Sequence, residues 1–399
     1  MSTCRKQVLL FPEVNITLQL PNTIFQKRDI YLVLYIIKHK NLRQEHRIMV
    51  NTLSHIGVGL LIALALGLKG NKLKVVAFLS LLPDLDFILY SAFDFANNNL
   101  SHEARNQLFY LIGHREFMHS ILFIVLITLF IWFKTKDWLF TVGGFQSIFF
   151  HSYLDYVTSW KMRPFYPFST DASIMGAVYF FDPLLNLLPL LPLVIIIMGN
   201  LSHTGKLNGK LNGFYTFISR IDDKLYASLI LVLLVWLIFM PVSKAFLINH
   251  ISGAEEAEIS YQNTYPESMD KFITAYSFNS THYKVLEISY LSGIERSSYV
   301  EKVSVEGDVP DAAAYIKRVE KLYHAGVPQE IDYPVYYISE KNGYVTVILS
   351  DARNPYCGEL AYFKSFYRFV FDKKNGEDYE VSAGMHGGPE ERLGRNWFG

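Results

Sequence analysis

From Leu229 to Met240 the chain carries no polar side chain, and the apolar stretch around it runs over 225–247. About 20 apolar residues suffice to cross the hydrocarbon layer of a bilayer as a helix. Five further runs precede this one, at 53–68, 73–92, 119–133, 138–157 and 178–199. They predict a mainly α architecture, with a polytopic helical membrane domain of about 5–6 spans over residues 49–248. The run at 119–133 is short. Its plainer reading is a buried helix, but strong apolar neighbours draw such a segment into the membrane. Apolar residues make up 51% of the 399 positions, and they are sparser after residue 248. Residues 249–399 therefore read as a small α+β extramembrane domain.

Lysine and arginine in short loops set orientation. Lys69, Lys72 and Lys74 lie in one loop, Lys134 and Lys136 in another, and Lys206, Lys210, Arg220 and Lys224 in a third. These are alternate loops, so they share a side, which is expected to be cytoplasmic. Loops 93–118 and 158–177 then face outward, as does the C-terminal domain. Residues 1–48 would place Arg5, Lys6, Lys27, Arg28, Lys38, Lys40, Arg43 and Arg47 outside, and they show no signal-peptide pattern. Met49 directly precedes the first organised segment. Residues 1–48 are expected to be an upstream extension of the reading frame or else a poorly packed N-terminal arm. A peptide from 1–48 in the purified native protein would refute the first.

Four polar clusters fall at the ends of the apolar runs: His55; Asp84 with Asp86; His114, Arg115 and His119; and His151 with Asp155. In the predicted topology all four arrive at the outer face. Histidine and aspartate are costly near a bilayer and mark function by default. His151 and Asp155 are i, i+4 and share a helical face; alone, the pair also reads as a capping aspartate beside an interfacial histidine. Pro83-Asp84-Leu85-Asp86 places two carboxylates after a helix-perturbing proline. On a regular helix they point apart, so one could bind a metal while the other orients a histidine or binds a second ion. His114 and His119 are five apart, which a loop entering a helix would align, with Gly113 giving the turn its freedom and Ser120 capping the helix that follows. Arg115 offers a fork for phosphate or carboxylate, or a salt bridge with Glu116 or an aspartate.

Imidazole and carboxylate without thiolate suit zinc, manganese or iron, in one or more ions. The metal ligands expected are His55, Asp84, Asp86, His114, His119, His151 and Asp155. Cys4 and Cys357 stand far apart and form no metal-binding pair. Basic and acidic residues balance at 37 each, so nothing points to nucleic acid.

At these residues the chain resembles the membrane-bound metal-dependent hydrolase family, whose bacterial prototype is an SOS-regulated inner-membrane protein. The shared pattern is an early His55; Pro83, Asp84 and Asp86; His114, Arg115, His119 and Ser120; His151 and Asp155; and a later Phe181-Asp182-Pro183. The likeness covers roughly residues 49–200, and its start near the first histidine favours Met49. Glu116 stands where the family usually has glycine. A more distant likeness is to zinc-dependent phospholipases C and single-strand nucleases, through the His-x-x-x-Asp pair. The resemblance implies a multi-pass protein of the inner membrane that binds a divalent metal.

The function expected is a metal-dependent hydrolase, with a membrane lipid or membrane-proximal phosphoester as substrate. Water on the metal attacks, Asp84 or Asp86 is the general base, and Arg115 holds the developing charge. The alternatives are a transporter of metal ions or protons and a membrane scaffold with a structural metal. In the C-terminal domain, 285–290, 335–338, 344–349 and 366–371 read as strands, with hairpin turns at Lys341-Asn342-Gly343 and Lys374-Asn375-Gly376 and an amphipathic helix over 310–324. That domain either caps the site and selects substrate or is a solvent-facing appendage.

Overall fold

The structure is a computed structural model that describes residues 45–89, 100–158, 160–205, 208–219, 222–326, 330–357, 363, 365–375, 377–385 and 390–398. The chain divides into two compact units, Met1–Met49 and Val50–Gly399. Nearly all of the proposed 1–48 extension, together with Lys206, Arg220 and Gly376, lies outside the described residues.

The helical half runs α1 (Glu45–Ala65), α2 (Gly70–Leu79), a 3-10 turn (Pro83–Leu85), α3 (His102–Ile112), a second 3-10 turn (Phe117–His119), α4 (Ile121–Thr135), α5 (Trp138–Val157), α6 (Pro183–Leu187), α7 (Leu191–His203), α8 (Gly209–Ile218) and α9 (Asp222–Glu255). A 3-10 turn at Leu188–Leu190 joins α6 to α7. Short polar side chains cap several helices. Ser120 accepts from Phe123 N at 3.2 Å to open α4, as the sequence predicts. Asp137 opens α5, and Asp182, followed by Pro183, opens α6.

Two segments among the described residues are long and apolar enough to cross a membrane, Pro183–His203 and Lys224–Glu255. A third exists only if α3 and α4, bent by 65° at Ser120, count as one. The expectation of a mainly α protein with a membrane domain of 5–6 spans is therefore wrong. Apolar runs do not distinguish a lipid-facing helix from one covered by protein. The run at 73–92 breaks after α2, only 10 residues long, where Ser80 turns its hydroxyl onto Ala77 O. The run at 138–157 forms α5, whose buried set includes Gly143, Gly144, Ser147, His151 and Asp155. Its polar load and small residues serve packing inside protein. Ser147 donates to Val76 O of α2 at 2.7 Å. In α1 the apolar part, Leu53–Ala65, is short.

Close approach fixes α1. A Cβ on Gly57 would lie 2.2 Å from Pro189 O, and one on Gly59 would lie 2.6 Å from Ser80 Oγ. Ser54 also reaches Asn186 Oδ1 at 3.2 Å. His55 is thus held between the break after α2 and the start of the Pro183–His203 segment.

The second reason for the correction is β structure. Among the described residues ten strands follow α9, in two sheets of order β1-β2-β3-β4 and β10-β9-β8-β7-β6-β5. The ranges of the first sheet are β1 Tyr265–Pro266, β2 Lys271–Ser277, β3 His282–Ser289 and β4 Gly293–Glu301. Those of the second are β5 Val303–Glu306, β6 Pro334–Lys341, β7 Tyr344–Asp351, β8 Ser365–Asp372, β9 Tyr379–Met385 and β10 Glu390–Arg395. Neighbours are antiparallel except β5 and β6. A parallel pair needs a crossover, here α10 (Ala312–Ala325). The expected β6–β7 turn holds Asn342 and Gly343 at φ 55° and 81°, as a type I′ hairpin requires. Val319 and Tyr323 of α10 pack on Ile338, Val347 and Phe369.

At about 1.5 Å per residue, α9 is roughly 50 Å long, well beyond a hydrocarbon layer of about 30 Å. Its last turns meet protein: Leu247, Ile248 and Ile251 pack on Phe272, Leu286 and Ile288 of the first sheet. The next residue of β2, Ile273, points the other way and packs with Tyr265, Tyr333 and Phe363. Lys244, fully buried, donates to Met175 O and Gly176 O at 2.7 and 2.9 Å, tying the 158–182 loop to α9.

Arg353 joins the two sheets. It is fully buried and donates to both oxygens of Asp351, to Asp332 Oδ2 at 2.8 Å and to Asn263 O at 2.6 Å. Removing one partner from a buried ion pair costs about 3–5 kcal/mol. Arg353→Leu is expected to lose that much stability in thermal unfolding of the purified protein, and an unchanged Tm would refute this role.

Candidate metal centre

The ligand-type side chains arrive from three elements. Asp84 lies in the first 3-10 turn and His119 ends the second, while His151 and Asp155 occupy successive turns of α5. One donor atom from each of these four lies within 4.8 Å of the others. His119 Nε2 and His151 Nε2 are 3.1 Å apart. Asp84 Oδ1 is 3.5 Å from His151 Nε2, and Asp155 Oδ2 is 3.4 Å from His119 Nε2. His119, His151 and Asp155 are buried, and Asp84 keeps 15% of its side chain exposed.

The tautomers follow from the partners. His151 Nδ1 sits 2.6 Å from Ser80 O, a carbonyl that can only accept, so Nδ1 carries the hydrogen. His119 Nδ1 sits 3.1 Å from Asp86 Oδ2 as an ion-pair contact, which favours a hydrogen there. Both Nε2 atoms then face one another at 3.1 Å, an arrangement that takes either a metal ion between them or a proton shared by the two rings. In metal-binding histidines the far ring nitrogen is fixed in the same way, by a carboxylate or a carbonyl. Two nitrogens each about 2.1 Å from one tetrahedral ion stand about 3.4 Å apart, close to the distance found.

Charge points the same way. Asp84, Asp86 and Asp155 bring three carboxylates to the cluster, and Arg115 is the one permanently charged side chain paired with them among the described residues, its Nε 3.1 Å from Asp155 Oδ2. Such buried carboxylates need positive partners: burial opposes charging of His119, yet Asp86 and Asp155 push it up to about 10, and a bound cation would add to it. Burial opposes ionisation of Asp84, but His151 and His55 outweigh it and hold the carboxyl well below its ordinary range. Burial likewise opposes ionisation of Asp86, and His114 and His119 overcome it. These four donors, two nitrogens and two carboxylates, could hold a metal ion.

The remaining expected ligands stand around these four. His55 is buried, stacks on His151 with ring centroids 3.9 Å apart, and places Nε2 3.5 Å from Asp155 Oδ1. Its Nδ1 has no hydrogen-bond partner among the described residues. Asp86 lies behind His119 and is engaged on both oxygens: His114 Nδ1 at 2.7 Å on one, Arg115 N at 2.9 Å and His119 on the other. His114 therefore meets Asp86 and not the common point.

The turn at 113–116 differs from expectation. Gly113 has an ordinary φ of −63°; a Cβ there would lie 2.4 Å from Phe109 O, so glycine is needed for closeness. The left-handed residue is Arg115, at φ 69°. Its backbone bond to Asp86 offsets a strain of about 1–2 kcal/mol. Glu116 turns away from the cluster and pairs with buried Arg163, Oε1 to Nη1 at 2.5 Å. Phe181-Asp182-Pro183 is also outside the cluster: Asp182 caps α6 and accepts from Trp236 Nε1 at 3.1 Å.

Sequence reasoning missed three participants. The Ser80 carbonyl is a backbone group and leaves no signal. Arg163 carries no signal in the sequence beyond its charge. Trp160 lies under the Arg115 guanidinium, 5.0 Å from the ring centre, and packs against Tyr265, Tyr333 and Phe363 of the C-terminal domain. Next to it, Lys161 pairs with Asp332 at 2.5 Å. The C-terminal domain thus touches the loop that supports Arg115.

Residues 49–248, just over half of the chain, match a family model described as YdjM inner membrane protein. Searches of curated proteins and of solved structures returned no match, so the likeness to phospholipases C and nucleases gains no support. The two long apolar segments agree with the membrane location that the family model describes. By that match, the chain belongs to the YdjM inner membrane protein family.

Proposed function

We propose that the protein is a metal-dependent hydrolase of the inner membrane that cleaves a lipid or membrane-proximal phosphoester, with zinc as the ion. The observation that carries this reading is the pair of Nε2 atoms facing each other at 3.1 Å between two carboxylates. A divalent ion in such a site acts as a Lewis acid and brings the ionisation of water close to neutral pH. Asp84, the most exposed of the four, accepts the proton from the attacking water. Asp86, already occupied by His114, His119 and Arg115 N, orients His119. Arg115, anchored by Asp155 and Trp160, holds the charge that develops on the ester oxygen.

None of the four donors lies on Pro183–His203 or Lys224–Glu255. This favours hydrolysis over transport, which places its ligands on the spanning helices near the midplane. The loop between those two segments carries Lys206, Lys210 and Arg220, and the positive-inside rule puts it in the cytoplasm. The metal centre and the C-terminal domain then share the extracytoplasmic side of a multi-pass protein.

Elemental analysis of the purified protein is expected to find a divalent metal, absent from His151→Ala and Asp84→Ala although both still enter the membrane. Full metal occupancy in both variants would remove the basis of the reading. Asp86→Asn is expected to weaken metal affinity by about 10–100-fold without abolishing it, measured by chelator competition. Arg115→Ala is expected to keep the metal and lower kcat on a phosphoester by about 100–1,000-fold.

A further inference from the structure

Phe165 and Phe168 are 60% and 84% exposed, yet the loop that carries them is tightly held. Pro164 O accepts from Ile121 N at 2.9 Å, and Phe165 O accepts from the backbone of Phe168 and Ser169 at 2.8 and 3.1 Å. Between the two rings, Tyr166 stacks on Tyr110, centroids 5.8 Å apart and planes at 15°, and meets Phe117 edge-on. Beneath them the buried Arg163 holds Glu116 and the Thr170 carbonyl. The fold therefore presents these rings on a fixed platform. Burying a phenylalanine stabilises by about 1.5–3 kcal/mol, so leaving two in water is unfavourable.

The platform continues into an apolar surface. Ile121, bonded to Pro164, starts α4, and that helix exposes Ile121, Val125, Leu129 and Phe133 along one stripe, with Leu126 and Phe130 beside it. At about 22 Å, α4 is too short to cross a bilayer but long enough to enter one leaflet. Phenylalanines at the end of such a surface fit the apolar face that interfacial segments bury at the headgroup boundary.

We infer that Phe165 and Phe168 insert into the interfacial layer of the lipid bilayer and hold the metal centre at the depth of the lipid headgroups. His119 is two residues from Ile121, so anchoring one end of α4 fixes the depth of the cluster. A second step, which rests on the hydrolase reading, is that the ester cleaved belongs to a lipid held in the membrane and not to a soluble molecule.

The test uses full-length protein in phospholipid vesicles. Phe168→Cys, in a Cys4→Ser, Cys357→Ser background, is labelled with a polarity-sensitive fluorophore. Asp171→Cys, an exposed site on the same loop, is labelled as the control. The expected result is blue-shifted emission at Phe168→Cys, quenched most by lipids spin-labelled near the headgroup, with water-like emission at Asp171→Cys. Identical water-like emission at both sites would overturn the anchor. So would a shielded label that no spin-labelled lipid quenches, which would assign the rings to a protein partner. For the second step, the double variant Phe165→Ser, Phe168→Ser is expected to keep its metal and raise KM at least tenfold for vesicle phospholipid, with a soluble short-chain ester unaffected. Equal loss on both substrates would overturn the lipid assignment. Absence of turnover by the metal-loaded unsubstituted protein would overturn the hydrolase reading and with it the lipid assignment, and would leave the depth measurement standing.

Discussion

Three carboxylates converge with the buried imidazoles of His119 and His151 and the guanidinium of Arg115, and much of the helical half keeps that cluster in place. The helix that would continue through 73–92 stops at Ser80, so that its carbonyl is free to take the His151 Nδ1–H. Gly59 allows α1 to lie against Ser80 and bring His55 onto His151. Arg115 accepts a left-handed backbone so that its N–H and its side chain reach two different aspartates. Each of these is a local cost that an isolated helix would avoid. They are consistent with a convergence point that could hold a metal ion.

The residues at the centre were legible because their types are costly in apolar surroundings. Asp84, His119, His151 and Asp155 stand out in any apolar run, and the i, i+4 relation of the last two survives in α5. What stood behind them was less legible. Asp84 and Asp86 are chemically alike and two residues apart. Only the 3-10 turn, which aims one at the cluster and the other at His114 and His119, separates their roles. Glu116 and Arg163 are 47 positions apart and find each other through tertiary packing.

The architecture was legible in part. Hydropathy marks where a chain avoids water but not whether lipid or protein takes water's place. Trp138–Val157 avoids water by packing on α2 and α4, whereas Lys224–Glu255 keeps most of its apolar surface uncovered. In the C-terminal domain the strands with strong alternation, such as Tyr344–Asp351, were readable from the period of two. Gly293–Glu301 was not: as an edge strand with few buried positions, it carries a polar sequence.

The length of α9 has a consequence for tilt. A helix of about 50 Å that begins at Asp222, carries Pro241 in its interior and ends packed on β2 and β3 is longer than a hydrocarbon layer needs. Bilayers of different thickness impose different tilts on such a helix. Because Phe272 and Ile273 face opposite sides of the same strand, one sheet borders both the end of α9 and Trp160, the ring under the Arg115 guanidinium.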